Sequence, residues 1–147
     1  MKIVDLPPGD PRLETELLPV LRELRPHLTP RLFAEVYDRG HAQGLRFSAA
    51  YDDAGTCVGV AGWRIMDTTS TLRKLYVDDL VTAASTRSAG VGRRLLAHLE
   101  AHARVEGCHE FSLDSGTHRT GAHRFYLRER LDIVAFHFSK ALGTQEV

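Results

Sequence analysis

A glycine-containing turn is the feature of this sequence that points most directly to chemistry. Residues 87–92 read Arg-Ser-Ala-Gly-Val-Gly and lie between a strand pattern and a helical pattern. Glycines let the backbone approach a ligand closely, and the first turn of the following helix offers backbone N–H groups that have no partner within the helix. Because the helix dipole also favours negative charge there, the turn predicts a binding site for a phosphate or pyrophosphate. A tight loop that only connects the two elements is the alternative.

Two common nucleotide motifs do not fit this turn. A dinucleotide fold requires Gly-x-Gly-x-x-Gly, and a Walker loop requires Lys followed by Ser or Thr directly after the last glycine. Here Gly92 is followed by Arg93 and Arg94. A nucleotide-binding protein is therefore the weaker alternative, and tight binding of ATP would identify it.

A pair of carboxylates, Asp78 and Asp79, interrupts an apolar strand pattern over residues 72–82. A carboxylate among apolar neighbours is costly unless water, a substrate or a partner group receives it. Side chains alternate along a strand, so we expect one aspartate on each face and only one of them at a substrate. That aspartate is a candidate general base. A carboxylate without a role is the alternative for each.

The elements that must hold these residues follow from the apolar patterns and the turn residues. A strand and two helical segments come first, a hairpin and a third strand follow, and helix and strand then alternate. This order predicts an α/β fold with a mixed, mostly antiparallel sheet and helices on both faces. The predicted ranges are strand 2–6, helix 13–24 with Pro19 as a kink or break, a helix that starts at Thr29 and Pro30, strands 45–52, 56–66 and 72–82, helix 90–106, strand 110–114, helix 119–130 and strand 133–139.

Length and composition limit the classes of function. A chain of 147 residues has the size of one domain, so we expect a single domain over 1–147. Nineteen basic and nineteen acidic residues balance, which disfavours general binding to nucleic acid or to an anionic membrane. No apolar run has the length of a signal peptide or a membrane span, and we expect a cytoplasmic protein.

The cysteines and histidines do not form a recognisable metal-binding pattern. Cys57 and Cys108 have neither the number nor the spacing of a disulfide framework or a zinc site, and we expect reduced thiols. His98 and His102 have the i, i+4 spacing of metal ligands but lack an obvious third ligand. We therefore predict no bound metal and structural roles for these residues.

The glycine turn and a second landmark resemble a known family. The pattern Arg/Gln-x-x-Gly-x-Gly/Ala between a strand and a helix is similar to the coenzyme A signature of the GNAT superfamily of N-acetyltransferases, and Ala-His-Arg-Phe-Tyr at 122–126 is similar to that family's Ala-x-x-Phe-Tyr segment. The resemblance extends over about residues 45–140 and implies a GNAT-like acetyltransferase domain with acetyl-CoA as cosubstrate. The residues that it assigns to acetyl-CoA are Leu80, Val81 and Thr82 at the strand end and Arg87, Ser88, Ala89, Gly90, Val91, Gly92 and Arg93 in the turn.

The chemistry of acyl transfer gives other residues their expected roles. An amine that attacks a thioester loses a proton, generates an oxyanion and expels a thiolate, which requires a base, N–H donors and an acid. By resemblance Tyr126 is the acid, and a free phenol with a pKa of about 10 is protonated at neutral pH. A core aromatic residue is the alternative for Tyr126. By resemblance to polyamine acetyltransferases, Asp78 is the expected base, acting directly or through water, and Asp79 binds a cationic substrate.

Several positions depart from the family pattern. Arg119 stands where many members have an asparagine, and Arg130 and Leu131 replace a frequent Gly-Phe after the tyrosine helix. Ser88 and Ala89 stand where glycine and a basic residue are common. These departures affect individual expected contacts with coenzyme A more than they affect the resemblance to the family. Phosphate binding at a helix start relies chiefly on backbone groups, which these substitutions keep.

The sequence therefore predicts an N-acetyltransferase that transfers an acetyl group from acetyl-CoA to a primary amine by direct attack. The N-terminal helices carry no pattern that identifies the acceptor. Both a small molecule and a protein are therefore candidates for the molecule that carries the amine. A non-catalytic coenzyme A sensor or regulatory module is the alternative, and release of free thiol separates the two classes. We expect no nucleic acid or membrane partner, and a homodimer is compatible with the resemblance.

Overall fold

The structure is a computed structural model that describes residues 1–87 and 89–143. The chain divides into two compact units, one over Met1–Leu113 and one that begins at Asp114. The strands of the first unit are β1 (Lys2–Leu6), β2 (Arg46–Tyr51), β3 (Cys57–Thr68), β4 (Leu72–Thr82) and β5 (Glu110–Leu113). Its helices are α1 (Leu18–Leu24), α2 (Pro30–Ala42) and α3 (Val91–Val105), with a π-helical turn at Leu13–Leu17 and a 3₁₀ turn at Ala84–Thr86. The second unit contains α4 (Thr120–Arg128).

The strands form one mixed sheet in the order β1-β2-β3-β4-β5. Neighbouring strands from β1 to β4 are antiparallel, whereas β4 and β5 are parallel because the chain crosses over through α3. One apolar cluster lies between the sheet and α1 and α2, and a second lies between the opposite face and α3. The predicted α/β fold, with a mostly antiparallel sheet and helices on both faces, is confirmed.

Local signals in the sequence set the helix boundaries. The Thr29 hydroxyl accepts a hydrogen bond from the Leu32 N–H at 3.1 Å, and Pro30 is the first residue of α2. Pro19 lies in the first turn of α1, where a missing N–H is tolerated, so the predicted helix 13–24 divides into the π-helical turn and α1. Gly107, with φ of +73°, follows the end of α3.

The predicted strand at 133–139 is wrong. The described residues after α4 form neither strand nor helix, and Ile133, Val134, Phe136 and Phe138 are 75–92% exposed. A strand exists only where a neighbouring backbone accepts and donates its hydrogen bonds, which an apolar pattern cannot guarantee.

The end of α4 has a closed hydrogen-bond pattern. Arg130 has φ of +67°, its N–H donates to the Leu127 carbonyl at 3.1 Å, and the Leu131 N–H donates to the Tyr126 carbonyl at 3.0 Å. These two bonds define a Schellman motif, in which glycine normally takes the left-handed position. Arg130 therefore holds a strained backbone conformation at the position where the resemblance expects glycine.

Neither histidine of the predicted i, i+4 pair has ligand surroundings. His102 packs edge-on against the Trp63 ring at a centroid distance of 5.0 Å, and His98 is exposed. In the described part of the chain, no three His, Cys, Asp or Glu side chains gather as a metal site. No helix in that part is long and apolar enough to cross a membrane.

Gly59 allows α3 to pack closely on the sheet. A Cβ atom at this position would lie 2.7 Å from the Val91 side chain and 2.9 Å from the Leu95 side chain. Both neighbours are buried, and Val91 is the first residue of α3. The missing side chain of Gly59 therefore sets the distance between β3 and the start of α3.

We expect Gly59→Ala to lower the free energy of unfolding by about 1–3 kcal/mol, because the added methyl overpacks this contact. Urea denaturation followed by far-UV circular dichroism measures the change. Gly121→Ala is the matched control, since a Cβ at Gly121 in α4 meets nothing within 4 Å. Equal stability of the Gly59→Ala variant and wild type would show that α3 shifts without cost.

Candidate active site

The sheet opens between β4 and β5. β5 pairs with β4 from Lys74 to Val77, whereas β3 pairs with β4 as far as Thr82. Within the described residues, the β5-side edge of 78–82 therefore has no strand beside it. A strand edge without a neighbouring strand can bind a ligand through backbone N–H and carbonyl groups.

Asp78 and Asp79 lie at a bulge in β4. Gly62 pairs with Asp79 and Trp63 pairs with Val77, so Asp78 is the extra residue on its strand. Val77 and Leu80 both pack in the α3-side cluster, which leaves the two aspartates on the opposite face. The expectation of one aspartate on each face is wrong, because the bulge interrupts the alternation of side chains.

Each aspartate is paired with an arginine. The Arg64 guanidinium donates to both carboxylate oxygens of Asp78, from Nε at 2.9 Å and from Nη2 at 3.0 Å. Arg25, the residue that ends α1, donates from Nε to Asp79 at 2.8 Å and from Nη2 to the Asp78 backbone carbonyl at 3.3 Å. We call Arg25, Arg64, Asp78 and Asp79 the charged cluster.

The two carboxylates differ in their surroundings. Burial raises the pKa of Asp79 above its ordinary value and Asp78 adds to this by repulsion, although the hydrogen bond and charge of Arg25 oppose the shift. The Asp79 side chain is 15% exposed and that of Asp78 is 25% exposed. The raised pKa makes the Asp79 carboxylate a better proton acceptor than an ordinary aspartate.

Gly62 provides the space for the Asp79 carboxylate. A Cβ at Gly62 would lie 3.0 Å from an Asp79 carboxylate oxygen and 2.7 Å from the Phe47 ring. Phe47 belongs to the apolar cluster under α1 and α2, which explains the desolvation of Asp79.

The residues that sequence analysis assigned to acetyl-CoA lie at the sheet opening and in the turn after it. Leu80 and Thr82 are half-buried, and Val81 is buried, so Val81 offers only its backbone. Four residues of the turn are exposed: Arg87, Ala89, Gly90 and Arg93. Gly92 is half-buried and Val91 is buried. Ser88 lies outside the described residues.

Hydrogen bonds attach this turn to the sheet and to α1. The Ala83 N–H donates to the Val58 carbonyl at 2.9 Å, and the Ala84 N–H donates to the Glu23 carboxylate at 3.0 Å. Glu23 lies in α1, two residues before Arg25 of the charged cluster. The turn is therefore fixed to both β3 and the end of α1.

The start of α3 has the features of an anion site. Gly90 is its N-cap with φ of +79°, and no described side chain caps the helix. A Cβ at Gly90 would meet nothing within 4 Å, so the backbone in front of the helix is open. The first turn of a helix carries backbone N–H groups that have no partner within the helix, and together with the helix dipole they favour a phosphate at this position.

Tyr126 lies in α4 of the second unit, next to Phe125 at a ring-centroid distance of 5.4 Å. Burial raises the pKa of its phenol above the ordinary value, and the charge of Arg119 opposes this shift. Tyr126 is thus protonated at neutral pH and able to donate a proton.

The cysteine thiols are poorly suited to nucleophilic catalysis. Cys57 is buried, and burial raises the pKa of its thiol to about 11. Burial also raises the pKa of Cys108. Since the thiolate is the nucleophilic form, neither thiol is activated at neutral pH.

Sequence reasoning missed Arg25 and Arg64, the two cations of the charged cluster, and Trp63 on the neighbouring strand is not part of the site. Trp63 is 6% exposed and donates from its indole nitrogen to the Ser48 hydroxyl at 2.9 Å, so it is a core residue. Arg25 lies 54 residues before Asp79, and no local pattern indicates their contact.

The family is established by a match between residues 11–131 and the family model described as the acetyltransferase (GNAT) family. This chain belongs to the GNAT family of acetyltransferases. The resemblance predicted from the glycine turn and the Ala-x-x-Phe-Tyr segment is confirmed.

Two curated relatives match part of the chain. An N-acetyltransferase of Bacillus subtilis (strain 168), YhdJ, described as uncharacterized, is 48% identical over 52 residues, which is 35% of this chain and 37% of that protein. Aminoalkylphosphonate N-acetyltransferase of Salmonella typhimurium is 39% identical over 66 residues, which is 45% of this chain and 43% of that protein. The matches thus span less than half the length of these relatives.

Solved structures share the fold. An integron cassette protein from the mobile metagenome of V. cholerae has a TM-score of 0.79 at 19% identity, over 97% of this chain and 92% of that chain. Glucosamine-6-phosphate N-acetyltransferase from Arabidopsis thaliana has a TM-score of 0.75 at 18% identity, over 97% of this chain and 98% of that chain. At these identities the likeness supports the fold alone.

The raised pKa of Asp79 predicts a pH dependence of stability. When the pKa of an aspartate is higher in the folded than in the unfolded chain, the folded chain loses stability as pH rises. The loss begins at the unfolded pKa of about 3.9 and ends at the folded pKa. Asn cannot titrate, so the stability of the Asp79→Asn variant relative to wild type should increase as pH rises above about 4.

Urea denaturation at pH 4, 5, 6 and 7 measures this difference. Asp38→Asn, on the exposed face of α2, is the control and should follow wild type. A difference that instead moves in favour of wild type as pH rises would mean that Arg25 outweighs burial and lowers the pKa of Asp79.

Proposed function

We propose that this chain transfers the acetyl group of acetyl-CoA to a primary amine by direct attack of the amine on the thioester. One observation carries the proposal: the sheet opens beside residues 78–82, directly before a turn that ends in an uncapped helix start. The charged cluster lies at the first residues of this opening. Family membership supplies the acyl transfer, and the site supplies the roles below.

Acetyl-CoA fits the open edge and the turn as a substrate. Its pyrophosphate is an anion that the N–H groups of the first turn of α3 would bind, and the exposed Arg87 adds positive charge nearby in sequence. The open space at Gly90 supports close approach of the backbone. The amide groups of the pantetheine arm match the unpaired backbone edge at Leu80 to Thr82 in the manner of an added strand.

Direct attack is supported by the state of the thiols. A route through an acyl-cysteine needs a thiolate, and the buried Cys57 with a pKa of about 11 is fully protonated at neutral pH. The amine of the acceptor is then the nucleophile. A primary amine is mostly an ammonium ion at neutral pH and must first lose a proton.

The geometry favours Asp79 over Asp78 as the base. Both oxygens of Asp78 accept hydrogen bonds from the Arg64 guanidinium, so this carboxylate is committed to a bidentate ion pair. Asp79 has one oxygen held by Arg25, and burial raises its pKa toward that of the amine. We therefore assign the role of base to Asp79. The neighbouring negative charge of Asp78 binds the cationic acceptor. These roles are the reverse of those that the sequence analysis predicted.

Tyr126 completes the proposed chemistry as the acid. The leaving thiolate needs a proton, and a phenol whose pKa is raised by burial carries one at neutral pH. The family match over residues 11–131 includes β2 to β5 and α4, which supports the treatment of residues 1–147 as one acetyltransferase domain.

The acceptor class proposed here is a small primary amine rather than a protein. The relative from Salmonella typhimurium is named for an aminoalkylphosphonate, and the Arabidopsis structure for an amino sugar phosphate. We place the reaction in the cytoplasm, where both cysteines, which are free thiols in the structure, stay reduced.

A thiol-release assay with acetyl-CoA and a panel of amines tests the proposed activity. We expect release that depends on one class of small amine, and Tyr126→Phe should lower kcat by about 10²- to 10⁴-fold because it removes only the proton donor. Tyr51→Phe also removes a single phenol oxygen, which in wild type donates to the Glu16 carboxylate at 3.4 Å, and should leave kcat unchanged. Coenzyme A binding without thiol release from any amine would favour the sensor instead.

Isothermal titration calorimetry with coenzyme A tests the binding site separately. Gly92→Asp places a negative charge at the start of α3 and should weaken binding about tenfold or more, which is about 1.4 kcal/mol. Ala97→Asp adds the same charge to the exposed face further along α3 and should bind as wild type does. Equal affinities for the Gly92→Asp variant and wild type would move the pyrophosphate elsewhere.

A further inference from the structure

Arg25 is the cation of the charged cluster that a ligand reaches more readily. Its side chain is 44% exposed, whereas that of Arg64 is 20% exposed. Arg64 is held by both carboxylate oxygens of Asp78, but Arg25 donates to one carboxylate oxygen and to one backbone carbonyl. The Nη1 N–H groups of Arg25 have no acceptor among the described residues, so they are available to an anion.

The main chain fixes Arg25 at the edge of the site. Its N–H donates to the Leu21 carbonyl at 2.9 Å, and its carbonyl accepts from the Leu28 N–H at 3.1 Å. Pro26 follows directly, and a proline restricts the backbone of the residue before it. Rotation of side-chain bonds alone therefore moves the guanidinium between Asp79 and a ligand.

The two carboxylate oxygens of Asp79 differ in access. Oδ2 faces β3, since a Cβ at Gly62 would lie 3.0 Å from it. Oδ1 is the oxygen that accepts from Arg25 at 2.8 Å. An ammonium that approaches Asp79 from solvent therefore meets Oδ1 and competes with Arg25 for it.

This competition changes the charge balance of the site. The charged cluster pairs two guanidinium groups with two carboxylates, so its formal charge is zero. An acceptor that brings only an ammonium makes this part-buried cluster positive and leaves Arg25 without its carboxylate, which costs free energy. An acceptor that also carries an acidic group keeps the charge balanced, because that group pairs with Arg25.

We propose that the acceptor is a small zwitterion whose ammonium takes the place of Arg25 at Asp79 and whose acidic group pairs with the Arg25 guanidinium. The acidic group is a carboxylate or a phosphonate, since both present oxygens that a guanidinium binds through parallel hydrogen bonds. The proposal rests on the proposed function, because it names the class of amine that the same site acetylates. In the transfer a C–N bond forms, the C–S bond of the thioester breaks, the ammonium proton passes to Asp79 and the thiolate takes a proton from the acid.

The exchange of partners also favours the proton transfer. Burial raises the pKa of Asp79, and the hydrogen bond and the charge of Arg25 oppose this shift. When Arg25 turns to the acidic group, its hydrogen bond to Asp79 is lost and the pKa of Asp79 rises further. An acceptor that draws Arg25 away thus makes Asp79 a stronger base.

Matched acceptors in the thiol-release assay test this class of substrate. β-Alanine and aminomethylphosphonate carry an acidic group, and β-alaninamide and the dimethyl ester of aminomethylphosphonate are their neutral counterparts. We expect kcat/KM for an acid to exceed that for its counterpart by about 10- to 100-fold, the range of a hydrogen bond to a charged group. A preference confined to the carboxylate or to the phosphonate supports the proposal and identifies the acidic group.

Arg25→Gln tests the assigned partner of the acidic group. The variant should bring the ratio of kcat/KM between acid and counterpart close to one, whereas the loss of a merely structural residue would lower both and keep their ratio. Arg25→Lys keeps the charge without the planar fork and should retain part of the preference. Arg31→Gln is the matched control, because Arg31 is 90% exposed and pairs with Glu35, and it should keep the wild-type ratio.

A binding measurement separates this proposal from the proposed acetyl transfer. In a nitrogen–proton correlation spectrum, the Arg25 Nε–H signal is identified as the one that Arg25→Gln removes. Aminomethylphosphonate should shift this signal, and its dimethyl ester should not. A shift without thiol release from any amine would support the zwitterion site and overturn acetyl transfer.

Three results would overturn the proposal. Equal kcat/KM values for acids and their counterparts would identify the acceptor as a plain amine, and acetyl transfer would stand. A preference for acids that Arg25→Gln leaves intact would assign the acidic group to another cation. The absence of both thiol release and a shift of the Arg25 signal would overturn the zwitterion site and acetyl transfer together.

Discussion

The bulge at Asp78 is the feature on which the centre of this structure depends. In a regular strand Asp78 and Asp79 would face opposite sides, and one carboxylate would enter the apolar cluster beneath α3. The bulge turns both toward the side where Arg25 and Arg64 lie. Two part-buried carboxylates are tolerable only because each finds a guanidinium at hydrogen-bond distance.

The same region is where the sheet stops being continuous. β5 ends its pairing at Val77, and the extra residue follows directly in β4. The strand edge without a neighbour runs over residues 78–82 of β4. Its first two residues, Asp78 and Asp79, also carry the paired carboxylates on the α1 side of the sheet. Gly59 and Gly62 support this arrangement from β3, one by admitting α3 and the other by admitting the Asp79 carboxylate. The proposed function uses this arrangement to bind an acyl donor along the edge and an amine at the carboxylates.

Local chemistry made much of this structure predictable from the sequence. The cap at Thr29 and the break at Pro19 depend on one residue and its neighbours, and both follow from short patterns. The mixed, mostly antiparallel character of the sheet followed from the order of the elements. The bulge was not predictable, because it depends on how two strands align and not on either strand alone.

Long-range pairing accounts for what was missed. Arg25 joins Asp79 only after α1 has packed on the sheet, and the sequence separation of 54 residues carries no signal. The strand at 133–139 was predicted from its own propensity, but strand formation also requires a free edge to which the segment is delivered. Side-chain pattern thus identified elements more reliably than contacts between them.

Under the proposed function, the last turn of α1 has a consequence for how the acyl donor and the acceptor influence each other's binding. Glu23 holds the turn before α3, and Arg25, two residues later, holds the charged cluster. A helix this short moves as a unit, so a displacement at one end of this pair is transmitted to the other. Any change in acceptor affinity that the donor produces through α1 must be matched by an equal change in donor affinity produced by the acceptor. The cooperativity between the two proposed ligands then depends on the position of α1.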